Sequence, residues 1–249
     1  MLFAIAPLAG LAFGSFVNVV AYRLPRRQSL VAPRSRCPAC GAQVRSYDNL
    51  PVVSWLLLRG RCRDCAAAIS PRYPIVESAM ALLWLGVVLA AGSALEMALG
   101  LVLVTLLVAV ALIDLEHRII PNRLLAPAAV IGVAIVAAVD PAALPEHLIA
   151  GAAAGAFFLL AALAYPRGMG MGDVKLAAVM GLYLGAAVAP ALLVAFAAGT
   201  VVGVGIMVRK GAAAGRKTAV PFGPFLALGG VVGVFAGAAT LDWYLRSFT

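Results

Sequence analysis

Charge is scarce in this chain. Only 12% of its 249 residues are Asp, Glu, Lys or Arg, against 64% hydrophobic residues and a mean hydropathy of +1.04. A soluble domain needs a polar surface, so this composition excludes an ordinary one and calls for a chain solvated largely by lipid. Acidic residues are scarcer still, 10 against 19 basic ones, which leaves a net charge of +9. A basic balance of that size serves either nucleic acid or the cytoplasmic loops of a membrane protein, and the positions of the charges decide between them. Low-complexity tracts and convincing internal repeats are also missing.

What is there is a series of apolar runs. Stretches of about 20 residues, the length that crosses a bilayer, fall at roughly 2–22, 74–91, 95–113, 123–139, 147–165, 174–189, 190–208 and 222–241. The expected fold is therefore an all-α polytopic membrane protein of about eight transmembrane helices. The short, closely spaced runs around Ala189-Pro190 leave seven or nine open. Three regions follow: a first transmembrane helix (1–22), a polar segment (23–73) and a membrane-embedded domain (74–249). With the amino terminus outside, the loops at 23–73, 114–122, 166–173 and 209–221 face the cytoplasm. Those loops and the adjoining span ends hold 18 of the 19 Lys and Arg residues, leaving Arg246 outside. No basic residue precedes the first apolar run, whereas Arg23, Arg26 and Arg27 follow it, so it reads as a retained anchor and not a cleaved signal peptide.

All four cysteines lie in the polar segment, as Cys37-Pro-Ala-Cys40 and Cys62-Arg-Asp-Cys65 with 21 residues between the pairs. Two knuckles with two-residue gaps bring four thiolates into a tetrahedron, the pattern of a structural zinc ribbon; four thiolates leave no open position for a catalytic water. Cytoplasmic placement argues against two disulfides. Arg34, Arg36, Arg45, Arg59, Arg61, Arg63 and Arg72 surround the site and would suit nucleic acid. The segment has few aromatics for base stacking, however, and membrane-proximal arginines attract anionic lipid headgroups and set topology. Membrane lipid is the expected partner here, and nucleic acid is not.

Two aspartates stand at the edges of apolar runs. Asp114 ends the third span, ahead of Pro121 and Asn122, which stop that helix and can cap the next. Asp173 begins the sixth, after Gly168, Gly170 and Gly172 and two residues before Lys175. Both carboxylates are placed at the same membrane face. A helix N-cap would explain Asp173 alone, but two carboxylates sharing one site keep one proton between them. The ionised one activates water and the protonated one polarises a scissile carbonyl. The helix amino terminus and Lys175 favour the anion at Asp173, and the helix carboxyl terminus favours the proton at Asp114. The glycines let backbone approach a substrate strand closely; they follow a membrane span, not a strand of a βαβ unit, which excludes a nucleotide-binding loop. Glu77, Glu116, His117 and Arg118 read as solvated or ion-paired groups, His147 as an interfacial residue, and Ser15 and Asn18 as hydrogen-bonding positions between helices. No Ser-His-Asp set can be assembled. Pro221-Phe-Gly-Pro224-Phe suits an irregular segment lining a cavity, or a rigid turn.

These residues resemble the type IV prepilin leader peptidases, integral membrane aspartyl proteases of the GxGD type. The resemblance runs nearly end to end: Gly14-Ser-Phe-Val-Asn18 with Tyr22-Arg-Leu-Pro25, the two CxxC pairs, Tyr47 to Trp55, Arg72 to Glu77, Asp114 with Ile120-Pro-Asn122, Gly172-Asp173-Val-Lys175, and Pro221 to Phe225. It implies an enzyme of the bacterial cytoplasmic (inner) membrane. Such an enzyme cleaves a short basic leader, ending in Gly, from pilin or pseudopilin precursors at the cytoplasmic face. Asp114 and Asp173 would be its catalytic pair, with Gly170, Gly172 and Lys175 as support. It also implies a second activity, methylation of the new amino terminus with S-adenosylmethionine, in members that carry the cysteine segment. Roughly 50 loop residues cannot build the usual doubly wound cofactor domain, so the residues point to no cofactor site. Two other classes compete: an ion- or proton-coupled transporter using the paired acids, and a zinc-ribbon adaptor without chemistry. Transport sites favour the bilayer midplane, and an adaptor needs neither acid.

Overall fold

The computed structural model describes residues 2–165, 169–211 and 220–248, which form helices joined by turns and two isolated antiparallel bridges. Apolar runs in lipid must satisfy their own backbone hydrogen bonds, and helices do so without help from neighbours. The chain divides into two compact units, Met1–Leu89 and Ala90–Thr249.

The amino-terminal unit pairs α1 (Leu2–Arg23) with α3 (Arg72–Ala90). The pairing is close because α1 offers a small-xxx-small stripe: Gly10 lies against Ala81 and Gly14 against Glu77. Phe13 stacks on Trp84 at 4.6 Å along the same seam. Between the two helices runs the polar segment, with a short α2 (Val53–Leu57). Each CxxC forms a tight turn. Cys37 N–H donates to the Ala42 carbonyl (2.9 Å) and Gly41 N–H to the Cys37 carbonyl (2.9 Å); Cys62 with Ala67, and Ala66 with Cys62, repeat the pattern at 2.8 and 2.9 Å. The bridges Arg36 to Gln43 and Arg61 to Ala68 close the two turns alike. The knuckles are thus two copies of one turn, a likeness the sequence alone does not make convincing.

The carboxy-terminal unit is a helical bundle: α4 (Ala94–His117), α5 (Asn122–Val139), α6 (Leu144–Ala164), α7 (Met171–Leu184), α8 (Val188–Lys210), α9 (Gly223–Val232) and α10 (Ala238–Phe248). Its core is fully buried Leu103, Leu107, Val110, Phe158, Leu176, Met180 and Leu226. The rings of Phe158, Phe196 and Phe222 tie α6, α8 and the start of α9 together at 5.5 and 5.7 Å. Gly181 of α7 lies against the Ala150 carbonyl of α6, an approach that a Cβ would block.

Among the described residues, seven helical stretches are long and apolar enough to cross a membrane. The eighth expected span is accounted for by Met171–Lys210, one stretch that contains two of the expected runs. It breaks in a 3-10 turn at Gly185–Ala187, ahead of Ala189-Pro190, where Gly185 has φ +56. The start of α6 satisfies the loose ends of that break: Glu146 Oε1 accepts the Ala186 N–H (3.2 Å), and His147 Nδ1 pairs with the Leu182 carbonyl (2.9 Å). His147 is therefore a structural partner of α7.

Candidate active site and metal centre

Helix α4 ends where Arg118 turns left-handed (φ 54) and donates its N–H to the Asp114 carbonyl at 2.9 Å, with Pro121 beyond to prevent continuation. The Asp114 side chain is buried at 5% exposure, and its Oδ2 accepts the Gly223 N–H at 2.9 Å. Gly223 is the first residue of α9. A Cβ there would stand 2.6 Å from Asp114 Oδ2, so only glycine permits this approach.

Asp173 is the third residue of α7, after Gly170 as the cap. Its Oδ2 accepts the Gly170 N–H at 3.1 Å, the carboxylate half of a capping box, and its own N–H returns to the Gly170 carbonyl at 3.0 Å. Gly172 sits against Ile120. Lys175 Nζ donates to Asn122 Oδ1 at 3.0 Å. The turn from α4 into α5 is thereby fastened to the start of α7. The end of α4, which carries Asp114, and the start of α7, which carries Asp173, are held to one region of the bundle by that bond. Gly168 lies outside the described residues.

Three local expectations change. Pro121, not Asn122, caps α5, and the Asn122 side chain is committed to Lys175. Lys175 is accordingly directed to an amide oxygen. Asp114 closes one helix but also rests on the amino end of another, so both acids accept one backbone N–H at a helix start. The electrostatic asymmetry drawn from helix ends is offset, and it no longer divides the roles of base and acid.

The four cysteine sulfurs lie within 4.8 Å of one another, positioned to bind a metal ion, and Cys37 Sγ and Cys65 Sγ are 3.8 Å apart. Tetrahedral zinc with bonds of about 2.3 Å spaces its sulfurs about 3.8 Å apart, so the donor set fits. Arg63 grips Asp48 through Nε and Nη2 (2.8 and 2.6 Å) and Arg45 meets Asp64 at 3.0 Å, two ion pairs across the segment.

Residues 101–206 match the type IV leader peptidase family, and residues 8–91 match the bacterial peptidase A24 N-terminal domain. A prepilin leader peptidase/N-methyltransferase of Aeromonas hydrophila is 33% identical over 277 residues, covering 99% of this chain and 94% of that relative. The chain belongs to the type IV leader peptidase family. A protein of the same name from Pseudomonas aeruginosa is 34% identical over 96% of this chain and 92% of its own length. Another, from Myxococcus xanthus, is 40% identical over 83% of this chain, which spans 64% of that relative's length. No solved structure matches. The first matched region lies almost wholly in the amino-terminal unit, with the cysteine knuckles, and the second lies in the carboxy-terminal unit, with both aspartates.

Sequence reasoning missed three groups. Gly223 is visible there only as part of Pro221-Phe-Gly-Pro224-Phe, an irregular entry to a helix, with nothing to name its partner. Glu77, expected in solvent or on an arginine, is buried at 6% exposure and accepts the Val52 N–H through Oε2 at 2.7 Å. Asn18 does reach a neighbouring helix, donating to the Tyr73 carbonyl at 3.3 Å, but its Oδ1 is buried without a partner.

Proposed function

We propose that the chain is an aspartic endopeptidase that removes the basic leader from type IV pilin or pseudopilin precursors, with Asp114 and Asp173 as its catalytic pair. The observation that carries this reading is that the two acids stand at helix ends of one bundle, on α4 and α7, each accepting one glycine N–H, with the turn after α4 fastened to the start of α7 by Asn122 and Lys175. In the reaction the ionised carboxylate takes a proton from water, whose oxygen adds to the scissile carbonyl carbon. The protonated carboxyl first donates a hydrogen bond to the carbonyl oxygen. Collapse of the tetrahedral adduct breaks the C–N bond, and the carboxyl that took the water proton passes it to the departing amine. Two carboxylates acting on one water would keep one proton between them, so neither is assigned as the base. Their place at helix ends also favours a peptidase over a transporter, whose site would lie near mid-span.

The distribution of Lys and Arg favours an amino terminus outside and this end of the bundle facing the cytoplasm, where a basic leader would project. A precursor carrying its own apolar helix would enter from the lipid. The four-cysteine centre would hold structural zinc, since four thiolates close the coordination shell. The names of the relatives support a second activity, transfer of a methyl group from S-adenosylmethionine to the amino terminus that cleavage exposes.

The test is cleavage of a purified pilin precursor by wild type, Asp114→Asn and Asp173→Asn. Each variant is expected to lose at least about 100-fold in rate. Undiminished cleavage by both refutes the assignment.

A further inference from the structure

The polar segment carries one helix built inside out. In α2 the polar side chain is the buried one: the Ser54 hydroxyl donates to the Tyr47 carbonyl at 2.9 Å and accepts the Leu50 N–H at 3.0 Å. Trp55 is also turned inward, its Nε1–H donating to the Ile69 carbonyl at 3.1 Å. Val53, Leu56 and Leu57 are left outside, at 49%, 61% and 77% exposure. Residues three and four apart share one side of a helix, so these three make a continuous apolar face. Water disfavours such a face, and an aqueous loop would adopt the inverse arrangement, Ser out and Leu in.

The depth of α2 says which solvent the face meets. Val52, just ahead of the helix, donates its N–H to Glu77 Oε2 at 2.7 Å, and Glu77 is the sixth residue of α3. Gly14, nine residues before the end of α1, packs against Glu77 in turn. At 1.5 Å per residue, Glu77 lies about 7.5 Å inside the start of α3 and about 13.5 Å inside the end of α1, and the lean of helical side chains toward the amino end returns a few Å of that to its carboxylate. Both helices are apolar enough to cross a membrane. α2 is therefore held level with the end turns of two spans, not beyond them, and Ile75 of α3, 63% exposed, continues the apolar surface at nearly the same level. This depth matches that of interfacial helices, whose apolar face sits about 5–10 Å into the boundary of headgroups and acyl chains.

The charges beside the face have one sign. From residue 49 to residue 63 the segment contains Arg59, Arg61 and Arg63 and no acid, and the flanking acids are engaged, Asp48 with Arg63 and Asp64 with Arg45. Arg59 and Arg61, the first cations after α2, are exposed. An apolar face followed directly by exposed guanidinium groups is complementary to acyl chains lying beneath anionic headgroups.

We propose that α2 is an interfacial helix seated in the leaflet that α1 leaves and α3 enters, with Val53, Leu56 and Leu57 among acyl chains and Arg59 and Arg61 on anionic phospholipid headgroups. The stretch read from sequence as one loop outside the bilayer thus returns to it midway. α2 lies between the two cysteine pairs in sequence, so its seat ties the metal-binding turns to the membrane at their middle as well as through α1 and α3.

The test places a diazirine-bearing amino acid at Leu56, Leu57 or Gln43 of the full-length protein, in nanodiscs of phosphatidylethanolamine and phosphatidylglycerol. Mass spectrometry identifies the adducts formed on illumination. Gln43, on the first knuckle, is the reference position. All three side chains are exposed, so replacement leaves the packing in place, and precursor cleavage reports that each preparation is folded. Phospholipid adducts at residues 56 and 57 are expected to exceed those at residue 43 by at least about tenfold. Phosphatidylglycerol should be enriched in them about threefold over its share of the bilayer, and Arg59→Gln with Arg61→Gln should abolish the enrichment while leaving the adducts. Adducts to water alone at both positions would overturn the proposal. Adducts to residues 90–249 or to a second copy of the chain would overturn it too, since the face would then be a protein contact. Adducts that follow the lipid composition in wild type overturn the part assigned to the arginines.

Discussion

The two units solve the problem of stability differently. The carboxy-terminal unit has an apolar core, with Phe158, Leu107, Met180 and Leu226 shut away from solvent. It uses its few polar groups to join helix ends. In the amino-terminal unit, no hydrophobic residue between Ala21 and Val76 is buried among those described. A stretch without a core needs other fasteners, and it has four thiols within bonding range of one ion and two charged pairs across its turns. Apolar packing fixes the helices that carry the two acids, whereas the polar segment takes its shape from turns closed around four cysteines. The division of fasteners thus parallels the division of sites.

Removing the metal is the strongest way to break that parallel. Cys37, one of the four cysteines, and Gly41 near it also line a cavity of about 760 Å³ inside the amino-terminal unit, so loss of the ion should distort that unit first. Chelation, or Cys62→Ser, is expected to reduce methyl transfer and S-adenosylhomocysteine binding by at least about tenfold more than precursor cleavage. Parallel assays on one preparation check this, and equal losses would show that the units fail together.

The next contrast lies inside the carboxy-terminal unit. A methyl at residue 223 would strike Asp114 Oδ2 and push it off its hydrogen bond. Gly223→Ala should therefore lower kcat for cleavage by roughly 10- to 100-fold, since misplacing a reacting group by about 1 Å costs on that order. Methyl transfer to a pre-cleaved peptide should be unchanged.

These predictions also mark where the sequence is readable. The membrane class, most spans, the four-cysteine cluster and the edge positions of Asp114 and Asp173 follow from hydropathy and spacing, because lipid and metals impose strict local patterns. What does not follow is any contact between distant segments. Nothing local in Gly223 announces a hydrogen bond to Asp114, and nothing in Asn122 announces Lys175. Glu77 misleads for the same reason: an acid near the membrane edge among many arginines looks paired, and only packing against Val52 reveals that it is buried.

Lys175 offers a smaller effect. Its Nζ fastens α7 to the turn before α5 through one hydrogen bond to Asn122, and it does so in an exposed position. Lys175→Met keeps the length of the side chain and loses the donor. Cleavage should fall by only about threefold to tenfold, in line with a charged hydrogen bond of roughly 1 kcal/mol. Asn122→Ala should match it, and the double variant should be no worse than either single one. A further loss of about tenfold in the double variant would mean that Lys175 acts on something other than Asn122.

The smallest prediction compares the two knuckles with each other. At the residue after the second cysteine of each pair the backbone turns left-handed: Gly41 has φ +73 and Ala66 has φ +58. Glycine adopts that conformation freely, whereas in alanine it costs about 1 kcal/mol, partly offset by the greater freedom glycine loses on folding. Ala66→Gly should thus strengthen the second knuckle by roughly 0.5 kcal/mol. Because metal binding and folding of such a segment are linked, the gain should appear as zinc held about twofold more tightly against a competing chelator. The mirror change, Gly41→Ala, should weaken retention by a similar or larger factor. If both substitutions shift zinc affinity in the same direction, the two turns are not the equivalent halves that their hydrogen bonds describe.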